Sequence, residues 1–472
     1  MLLFFAFLNS LFQMSKPKEA LSYEYQLEVK QLTEPTQVRW GYWLKGKAYV
    51  IDSTLIQQPQ STARFSGKIN LPAGLYFFQV GSTSEVLDFI INEEYQLTFS
   101  THYSALQDSF KVEKSIENGP YLDWKRQKKA NEIKVNLLKT SLQTLQKTTR
   151  DPAALDKQAK EIRRLREEFD TYSRQLPQQF PNALFAALIK ADLPPAIPST
   201  IPPVFPDGKV NPAYMHYFRA HLWENIDFND SRLLRSPVLA RRADDWMQLQ
   251  PSQLDSVKAN LDASLKNTIG KPAFRNALLQ LFMERFDQPS YGGNETMLVY
   301  LFDQYFPNAG SVELDTAAWL RLQFKANSYR PTLPGRIAPN IELPDTSGNI
   351  IPLYSKQATY TLLYFFHPQC TQCQLTTPEV YEQTKPYLNK GLQVYAVTTD
   401  VESVDDWKQY ANSKLPGWTC VFDTSKNSNI EKMYATQALP NLVLLDEQKK
   451  ILVRRLPASD LAKVLASILK GS

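Results

Sequence analysis

The sequence is poor in cysteine: its 472 residues include three, Cys370, Cys373 and Cys420. So few cysteines exclude a small scaffold held together by several disulfides. Histidine is also scarce, with four residues. Two of them, His216 and His221, lie five positions apart, whereas a metal-binding pair on one helix face needs a spacing of three or four. This spacing disfavours a metal site in that segment.

Long apolar runs are missing after the N-terminus. Residues 1–12 are uncharged and mostly apolar, which is typical of the hydrophobic region of a signal peptide. The run is shorter than the about 20 residues that cross a bilayer. We therefore expect residues 1–20 to be a signal peptide, the mature chain to have no transmembrane span, and the protein to be exported to the periplasm or cell envelope. Because no positive charge precedes the run and residues 16–20 resemble a cleavage site poorly, a buried N-terminal strand or helix is the alternative.

The sequence also has no concentration of basic residues of the kind that forms a basic surface. The 53 Lys and Arg residues are nearly balanced by 48 Asp and Glu residues, which leaves a net charge of +5. The short basic runs at residues 125–129 and 163–166 fall in segments with helical patterns, where such runs usually lie on solvated faces. A nucleic-acid binder collects its basic side chains on one face. We therefore expect no nucleic-acid partner.

The order of hydrophobic patterns predicts a multidomain protein. Residues 21–104 contain short alternating runs separated by turn residues, which predict a β-sandwich. Residues 115–328 contain long amphipathic patterns with a period of three to four, which predict an α-helical middle domain. Residues 329–472 alternate strand and helix patterns, as an α/β domain does.

Two of the cysteines form a C-x-x-C motif between a predicted strand and a predicted helix. The apolar run at residues 361–366 predicts a buried strand, and a helix pattern follows to residue 390. Unpaired N–H groups and the partial positive charge of a helix start stabilise a thiolate. We therefore interpret Cys370 as the exposed nucleophile and Cys373, one turn deeper, as the resolving thiol.

Other interpretations of the motif remain open. A zinc site would need two more ligands, and only His367 and Cys420 lie nearby; a pair of simple buried thiols is the second alternative. His367 is interpreted either as a residue that tunes Cys370 or as a loop histidine without a role. Cys420 falls in a predicted strand and is interpreted as a small buried residue.

Further residues around the motif match a known pattern. Pro378 follows Cys373 by five positions, and Leu439-Pro440 precedes a predicted strand at residues 441–446. Residues 335–339 and 345–348 match an opening hairpin. With these features the segment from about residue 330 resembles the thioredoxin superfamily in its exported, TlpA-like branch.

The resemblance implies a C-terminal thioredoxin-like fold and assigns roles to its matching residues. Cys370 and Cys373 would be the catalytic pair. Leu439 and Pro440 would form the cis-proline segment that docks substrate peptides, and Pro378 would kink the active-site helix. The order of β-domain, helical domain and thioredoxin-like domain, with a motif at residues 225–234, is similar to that of exported Bacteroidetes-type proteins.

Three positions depart from the thioredoxin pattern. Gln369 stands where an aromatic residue usually precedes the first cysteine. Tyr364 stands where thioredoxins carry a buried Asp, and Thr376 where many TlpA-like proteins carry a Glu. The proton acceptor for Cys373 is therefore not identified from the sequence. Glu379 is a candidate, with an ordinary surface glutamate as the alternative.

The expected function is that of a periplasmic thiol–disulfide oxidoreductase that exchanges disulfides with protein substrates. The resemblance implies that it reduces or isomerises disulfides rather than forming them, without an organic cofactor or a metal. Its electrons would come from a membrane thiol–disulfide donor. The alternative is a cell-envelope binding protein whose thioredoxin-like domain is structural or only weakly redox-active.

Overall fold

The computed structural model describes residues 22–148, 151–204, 209–288, 294–307, 316–388, 390–399, 403–423, 429–436 and 438–469. The predicted signal peptide at residues 1–20 lies outside the described residues. The chain divides into two compact units, one with the residues up to Leu249 and Ser264–Ala277, the other with Gln250–Ala263 and the residues from Leu278 onward. Within the described ranges, no helix is both long and apolar enough to cross a membrane.

Two four-stranded β-sheets lie in the first unit and share one hydrophobic core. Their strands are β1 (Ser22–Lys30), β2 (Thr36–Leu44), β3 (Lys47–Ile56), β4 (Thr62–Lys68), β5 (Gly74–Val80), β6 (Leu87–Ile91), β7 (Gln96–His102) and β8 (Lys111–Val112). One sheet has the order β4-β1-β7-β8 and the other β3-β2-β5-β6. Strands β1 and β7 are parallel, and the other neighbours are antiparallel. The predicted N-terminal β-sandwich is confirmed.

Alternating side chains explain why these strands pack as a sandwich. Along β1, Tyr25, Leu27 and Val29 point into the core while their neighbours are partly exposed. Trp40 on β2 is 1% exposed and lies at the centre of an aromatic cluster. Its ring centroid is 5.5–6.0 Å from those of Tyr23, Tyr25, Phe65 and Tyr76. Burial of large aromatic side chains is a major stabilising contribution in a domain of this size.

Among the described residues of the first unit, five α-helices follow the sandwich. They are α1 (Asn118–Thr148), α2 (Pro152–Gln179), α3 (Leu184–Asp192), α4 (Pro212–Ala220) and α5 (Val238–Gln248). Helices α1 and α2 pair antiparallel, since Trp124 near the start of α1 donates to Ser173 near the end of α2, and Gln158 of α2 donates to the carbonyl of Leu138. The long helices predicted for this region are therefore present, and the first two pair antiparallel.

The predicted motif at residues 225–234 joins the helices to the sandwich within the first unit. The guanidinium carbon of Arg235, directly after the motif, lies 4.4 Å from the ring centroid of Tyr42. The carbonyl of Leu234 accepts the N–H of Lys45 at 2.7 Å. These contacts give the segment a structural role in the described fold.

Four further helices complete the middle region. Helices α6 (Leu254–Lys266) and α7 (Pro272–Phe286) have residues in both units, whereas α8 (Asn294–Tyr305) and α9 (Thr316–Tyr329) lie in the second. The helical character predicted for residues 115–328 is confirmed. The boundaries predicted at residues 104, 115 and 328 stay predictions.

The rest of the second unit is an α/β domain. Its strands are β9 (Glu342–Pro344), β10 (Ile350–Pro352), β11 (Tyr360–Phe365), β12 (Leu392–Thr398), β13 (Thr419–Phe422), β14 (Asn441–Asp446) and β15 (Ile451–Arg454). Its helices are α10 (Thr371–Thr384), α11 (Val404–Lys414), α12 (Ile430–Tyr434) and α13 (Ala458–Leu469). The main sheet has the order β13-β12-β11-β14-β15, with β11, β12 and β13 parallel and the other pairs antiparallel. The predicted thioredoxin-like fold is confirmed.

The central strand β11 is buried on both faces. Leu362 and Tyr364 belong to the core on one side of the sheet, and Leu363 and Phe365 to the core on the other. A strand that is covered on both faces has a continuous apolar sequence. This is why the apolar run at residues 361–366 predicted the buried strand. Helix α10 ends at Thr384 rather than at the predicted residue 390. Pro386 has no N–H to continue the α-helical hydrogen bonds, and the chain goes on as a 3-10 turn at Lys385–Tyr387.

Candidate active site

The C-x-x-C motif lies where β11 passes into α10. Cys370 is the N-cap residue of α10, with φ −72° and ψ 118°, and its sulfur accepts the N–H of Cys373 at 3.4 Å. The N–H of Cys370 donates to the carbonyl of His367 at 3.1 Å, which closes the turn between strand and helix. This turn directs the Cys370 sulfur at the unpaired N–H groups of the first helical turn.

The local structure favours a thiolate at Cys370. A hydrogen bond from the Cys373 thiol lowers the pKa of Cys370, and the backbone N–H groups of Cys373 and Gln372 lower it further, against a smaller opposing effect of burial. No Asp, Glu, Lys or Arg occurs between residues 357 and 378. The thiolate therefore depends on hydrogen bonds and the helix dipole rather than on a neighbouring cation.

Cys373 has the opposite environment. It is completely buried beneath the start of α10, and burial raises its pKa to about 12. A hydrogen bond from the backbone of His367 lowers the pKa of Cys373. The hydrogen bond with the Cys370 side chain and the charge of Cys370 raise it further. The two thiols thus differ in the way required of an attacking and a resolving cysteine.

The predicted substrate-docking residues lie at the same end of the sheet. Asn441, the first residue of β14, pairs with Phe365, the last residue of β11. Because of this pairing, the preceding Leu439–Pro440 segment, whose peptide bond is cis, lies next to the chain that leads into the motif. Leu439 and Cys370 are both partly buried and pack against the same core.

Pro378 lies inside α10, as the resemblance implies. A proline in this position has no N–H to donate to the carbonyl four residues earlier. The first turn of α10 next to the cysteines is therefore tied less tightly to the rest of the helix. Leu375, on the next turn of α10, is 70% exposed and adds an apolar side chain to the surface of the helix.

A group of hydroxyls beneath Cys373 was not found from the sequence. The hydroxyls of Tyr364 and Thr377 are 2.7 Å apart, and Thr377 donates to the carbonyl of Cys373 at 2.7 Å. Thr377 also lowers the pKa of Tyr410 on α11, whose ring lies 6.1 Å from that of Phe366. We call Tyr364, Thr377 and Tyr410 the hydroxyl cluster. Their spacing in the sequence gave no signal, because only the packing of α10 and α11 on β11 brings them together.

Three further residues singled out from the sequence are Glu379, the candidate proton acceptor, Thr376 and His367. Glu379 is exposed and accepts from Gln383 at 2.9 Å. Thr376 is nearly buried, and its hydroxyl accepts from Gln372 at 3.3 Å. The ring of His367 accepts the N–H of Gln369 at 3.2 Å, so its described contact is with the loop itself.

Cys420 lies on β13 and is nearly buried, in agreement with its interpretation as a small core residue. Burial raises the pKa of its thiol to about 12. Among the described residues, no group of three His, Cys, Asp or Glu side chains is placed to hold a metal ion. His216 lies in α4, and His221 stacks on Tyr217 at its end.

Alkylation should separate the two thiols of the motif. With iodoacetamide at pH 7, we expect Cys370 to be labelled at least about tenfold faster than Cys373, because only the thiolate reacts. The rate at Cys370 should level off at a pH below that of an ordinary thiol, since its pKa is lowered. The rate at Cys373 should keep rising towards pH 12. Peptide mass spectrometry of a time course measures both, with buried Cys420 as the internal control; equal rates at the two cysteines would contradict the assignment.

Comparison with known proteins gives a match for the C-terminal part of the chain. Residues 334–454 match the AhpC/TSA family. The sequence is 27% identical over 103 residues to nucleoredoxin from Xenopus laevis. The matched region makes up 21% of this chain and 24% of that protein. The chain thus spans about a quarter of the length of the curated relatives it matches.

Two solved structures are also similar. A thioredoxin-like protein from Bacteroides caccae is 20% identical, covering 58% of this chain and 98% of that one, with a TM-score of 0.49. A domain of a possible thiol-disulfide isomerase from Cytophaga hutchinsonii is 34% identical, covering 30% of this chain and 96% of that one, with a TM-score of 0.28.

Proposed function

Because residues 334–454 belong to the AhpC/TSA family and form a thioredoxin-like domain, we propose that the protein is a thiol–disulfide oxidoreductase that acts through Cys370 and Cys373. The observation that supports this most strongly is the position of Cys370. Its sulfur caps the start of α10 and accepts a backbone N–H, while the second thiol is buried one turn below.

The proposed reaction proceeds by two exchanges. The Cys370 thiolate attacks one sulfur of a substrate disulfide, and the other substrate sulfur leaves and takes up a proton. Cys373 then loses its proton and attacks the Cys370 sulfur, which breaks the bond to the substrate and forms the Cys370–Cys373 disulfide. The substrate gains two electrons and two protons. A dithiol donor must return the pair to the reduced state before the next cycle.

Substrate would bind beside Cys370 at the end of the main sheet. Leu439 and Pro440 are proposed to provide backbone for a bound peptide, and the exposed Leu375 offers an apolar contact. The lack of charged residues at positions 357–378 favours a peptide without a required charge next to its disulfide. Reduction or isomerisation is the proposed direction, which follows the TlpA-like resemblance.

Location and electron supply complete the proposal. The apolar, uncharged residues 1–12 support export to the periplasm or cell envelope, where disulfides persist. The donor would then be a membrane thiol–disulfide relay that reduces the pair from outside the cytoplasm. Cell fractionation with detection of the chain in the periplasmic or envelope fraction tests this; recovery in the cytoplasm alone would contradict it.

Reduction of insulin tests the proposed activity. With dithiothreitol as the electron source, the full chain should speed the precipitation of reduced insulin above the rate with dithiothreitol alone. Cys420→Ala is the matched control, because this buried thiol lies outside the motif, and it should retain the activity. No acceleration by either protein would refute the enzyme and leave the cell-envelope binding protein as the better hypothesis.

A further inference from the structure

The resolving step poses a physical problem at Cys373. This thiol must become a thiolate to attack the mixed disulfide at Cys370, yet it is completely buried. A buried anion without hydrogen-bond donors is costly to form. The neighbours available to Cys373 therefore decide how fast the step can occur.

The hydroxyl cluster lies at the required place. Tyr364 and Thr377 are almost completely buried. Thr377 holds the main chain of Cys373 through its 2.7 Å bond to the carbonyl, and Tyr364 holds Thr377 through a second bond of 2.7 Å. Tyr364 on β11 and Thr377 and Cys373 on α10 are thereby joined by two consecutive hydrogen bonds.

Counting protons gives the direction of these bonds. A threonine hydroxyl has one proton and two lone pairs. Because Thr377 donates its proton to the carbonyl of Cys373, it can only accept from Tyr364. The phenol of Tyr364 therefore donates, and its own oxygen keeps lone pairs that can accept another hydrogen bond.

The aromatic ring of Tyr364 is fixed by packing. It stacks on Phe366 at a centroid distance of 5.2 Å and meets Trp418 nearly edge-on at 5.6 Å. Phe366 in turn lies 6.1 Å from Tyr410, the half-buried member of the cluster. Because these aromatic rings are packed against one another, rotation of the hydroxyl protons requires less rearrangement than movement of the rings.

The tyrosines of the hydroxyl cluster interact electrostatically with the thiol of Cys373. Burial is the main cause of the raised pKa of Tyr364 and of Tyr410, and the charge of Cys373 raises both further. The charge of Cys370 also acts on Tyr364, and that of Cys420 on Tyr410. The charge of Cys373 thus acts on both phenols, and Tyr364 packs in the same hydrophobic core as Cys373.

We propose that Tyr364 is a positioning residue for the resolving step: through Thr377 and together with Tyr410 it holds Cys373 and supports the thiolate that Cys373 forms. This inference rests on the proposed function. In the resting state the Tyr364 proton is bonded to Thr377, and as the thiolate forms, the hydroxyls of the cluster turn to stabilise the negative charge. Tyr410, half-buried, connects the group to the surface.

The proton balance of the step is simple. Cys373 loses one proton, the bond between Cys370 and the substrate sulfur breaks, and the bond between Cys370 and Cys373 forms. The departing substrate sulfur takes up one proton. The hydroxyl cluster begins and ends with the same number of protons, so no further reactant is needed.

Ellman's reagent separates the two steps in one experiment. Reduced full-length protein should release thionitrobenzoate in a first phase, when Cys370 attacks, and again in a second phase, when Cys373 resolves the mixed disulfide. We expect Tyr364→Phe to slow the second phase by about tenfold, as loss of one buried hydrogen bond does, and to shift its pH profile to higher pH. The first phase should change by less than twofold.

Matched variants separate positioning from general packing. Thr377→Val should slow the second phase as Tyr364→Phe does, whereas Thr377→Ser retains the hydroxyl and should restore it. Tyr395→Phe is the control: this fully buried tyrosine on β12 donates to the carbonyl of Ile351 at 2.6 Å on the other face of the sheet. It should change neither phase.

The outcomes distinguish this inference from the proposed function. If wild type shows both phases and Tyr364→Phe matches it in rate and pH profile, the role of Tyr364 is wrong while the enzyme proposal stands. If wild type itself shows no second phase, both fall, since there is no resolving step to support. A second phase slowed equally by Tyr364→Phe and Tyr395→Phe would also overturn the inference.

Discussion

A Cys370→Ser variant is expected to lose all insulin reduction above the rate with dithiothreitol alone. The serine hydroxyl is far too weak an acid to be ionised by hydrogen bonds that suffice for a thiol, and it forms no disulfide. The fold should be retained, because Cys370 is only partly buried and serine is itself a favoured N-cap residue. The loss should therefore be chemical rather than structural.

Two control measurements test whether the loss of activity is specific to Cys370. Circular dichroism and thermal unfolding should match those of wild type, and Cys420→Ser should keep its activity within a factor of about two, as a change away from the reacting groups does. Full activity in Cys370→Ser would show that another group attacks the substrate. It would also remove the reason for assigning α10 as the catalytic helix.

The second large effect is expected from Cys373→Ser. Cys370 can still attack, but the mixed disulfide cannot be resolved, so up to one substrate sulfur per chain should become covalently attached. Wild type should show almost none, because resolution removes it. Incubation with a small disulfide such as oxidised glutathione, followed by intact mass measurement under non-reducing, acidic conditions, gives the stoichiometry directly.

The matched control for the trap is Cys370→Ser in combination with Cys373→Ser. This double variant should carry no adduct, which shows that Cys370 is the site of attachment. An adduct on Cys420 instead, or equal adducts in wild type and Cys373→Ser, would contradict the division of roles between the two cysteines. Non-covalent capture of a partner without any adduct would favour the binding-protein alternative.

Much of the fold could be predicted because its patterns are local. The run at residues 361–366 shows a strand buried on both faces, and the alternation at residues 23–29 shows one buried on a single face. The end of α10 was misplaced, since the helix pattern continues to residue 390 while the α-helix gives way at Lys385 to a 3-10 turn that contains Pro386, a residue without an N–H to donate. Helices α6 and α7 each have residues in both compact units, which no local sequence pattern indicates.

The candidate site could be predicted only in part. The spacing of Cys370 and Cys373 at a strand-to-helix junction predicted an exposed first thiol and a deeper second one; in the structure Cys373 is buried, while Cys370 is partly buried rather than exposed. The hydroxyl cluster could not be predicted. Tyr410 lies 33 positions after Thr377 in the sequence, and nothing in its local pattern distinguishes it from an ordinary helix tyrosine.

The reduction potential of the Cys370–Cys373 pair tests the central claim most directly. The full chain is equilibrated with glutathione mixtures of stepped composition, quenched by acid, and the oxidised fraction of the peptide with both cysteines is measured by mass spectrometry. We predict a single two-electron transition within the range of thioredoxin-like proteins, about −270 to −120 mV, and a value near the lower end for a reductant. Failure of the two cysteines to form a disulfide at any glutathione ratio would contradict the proposed activity.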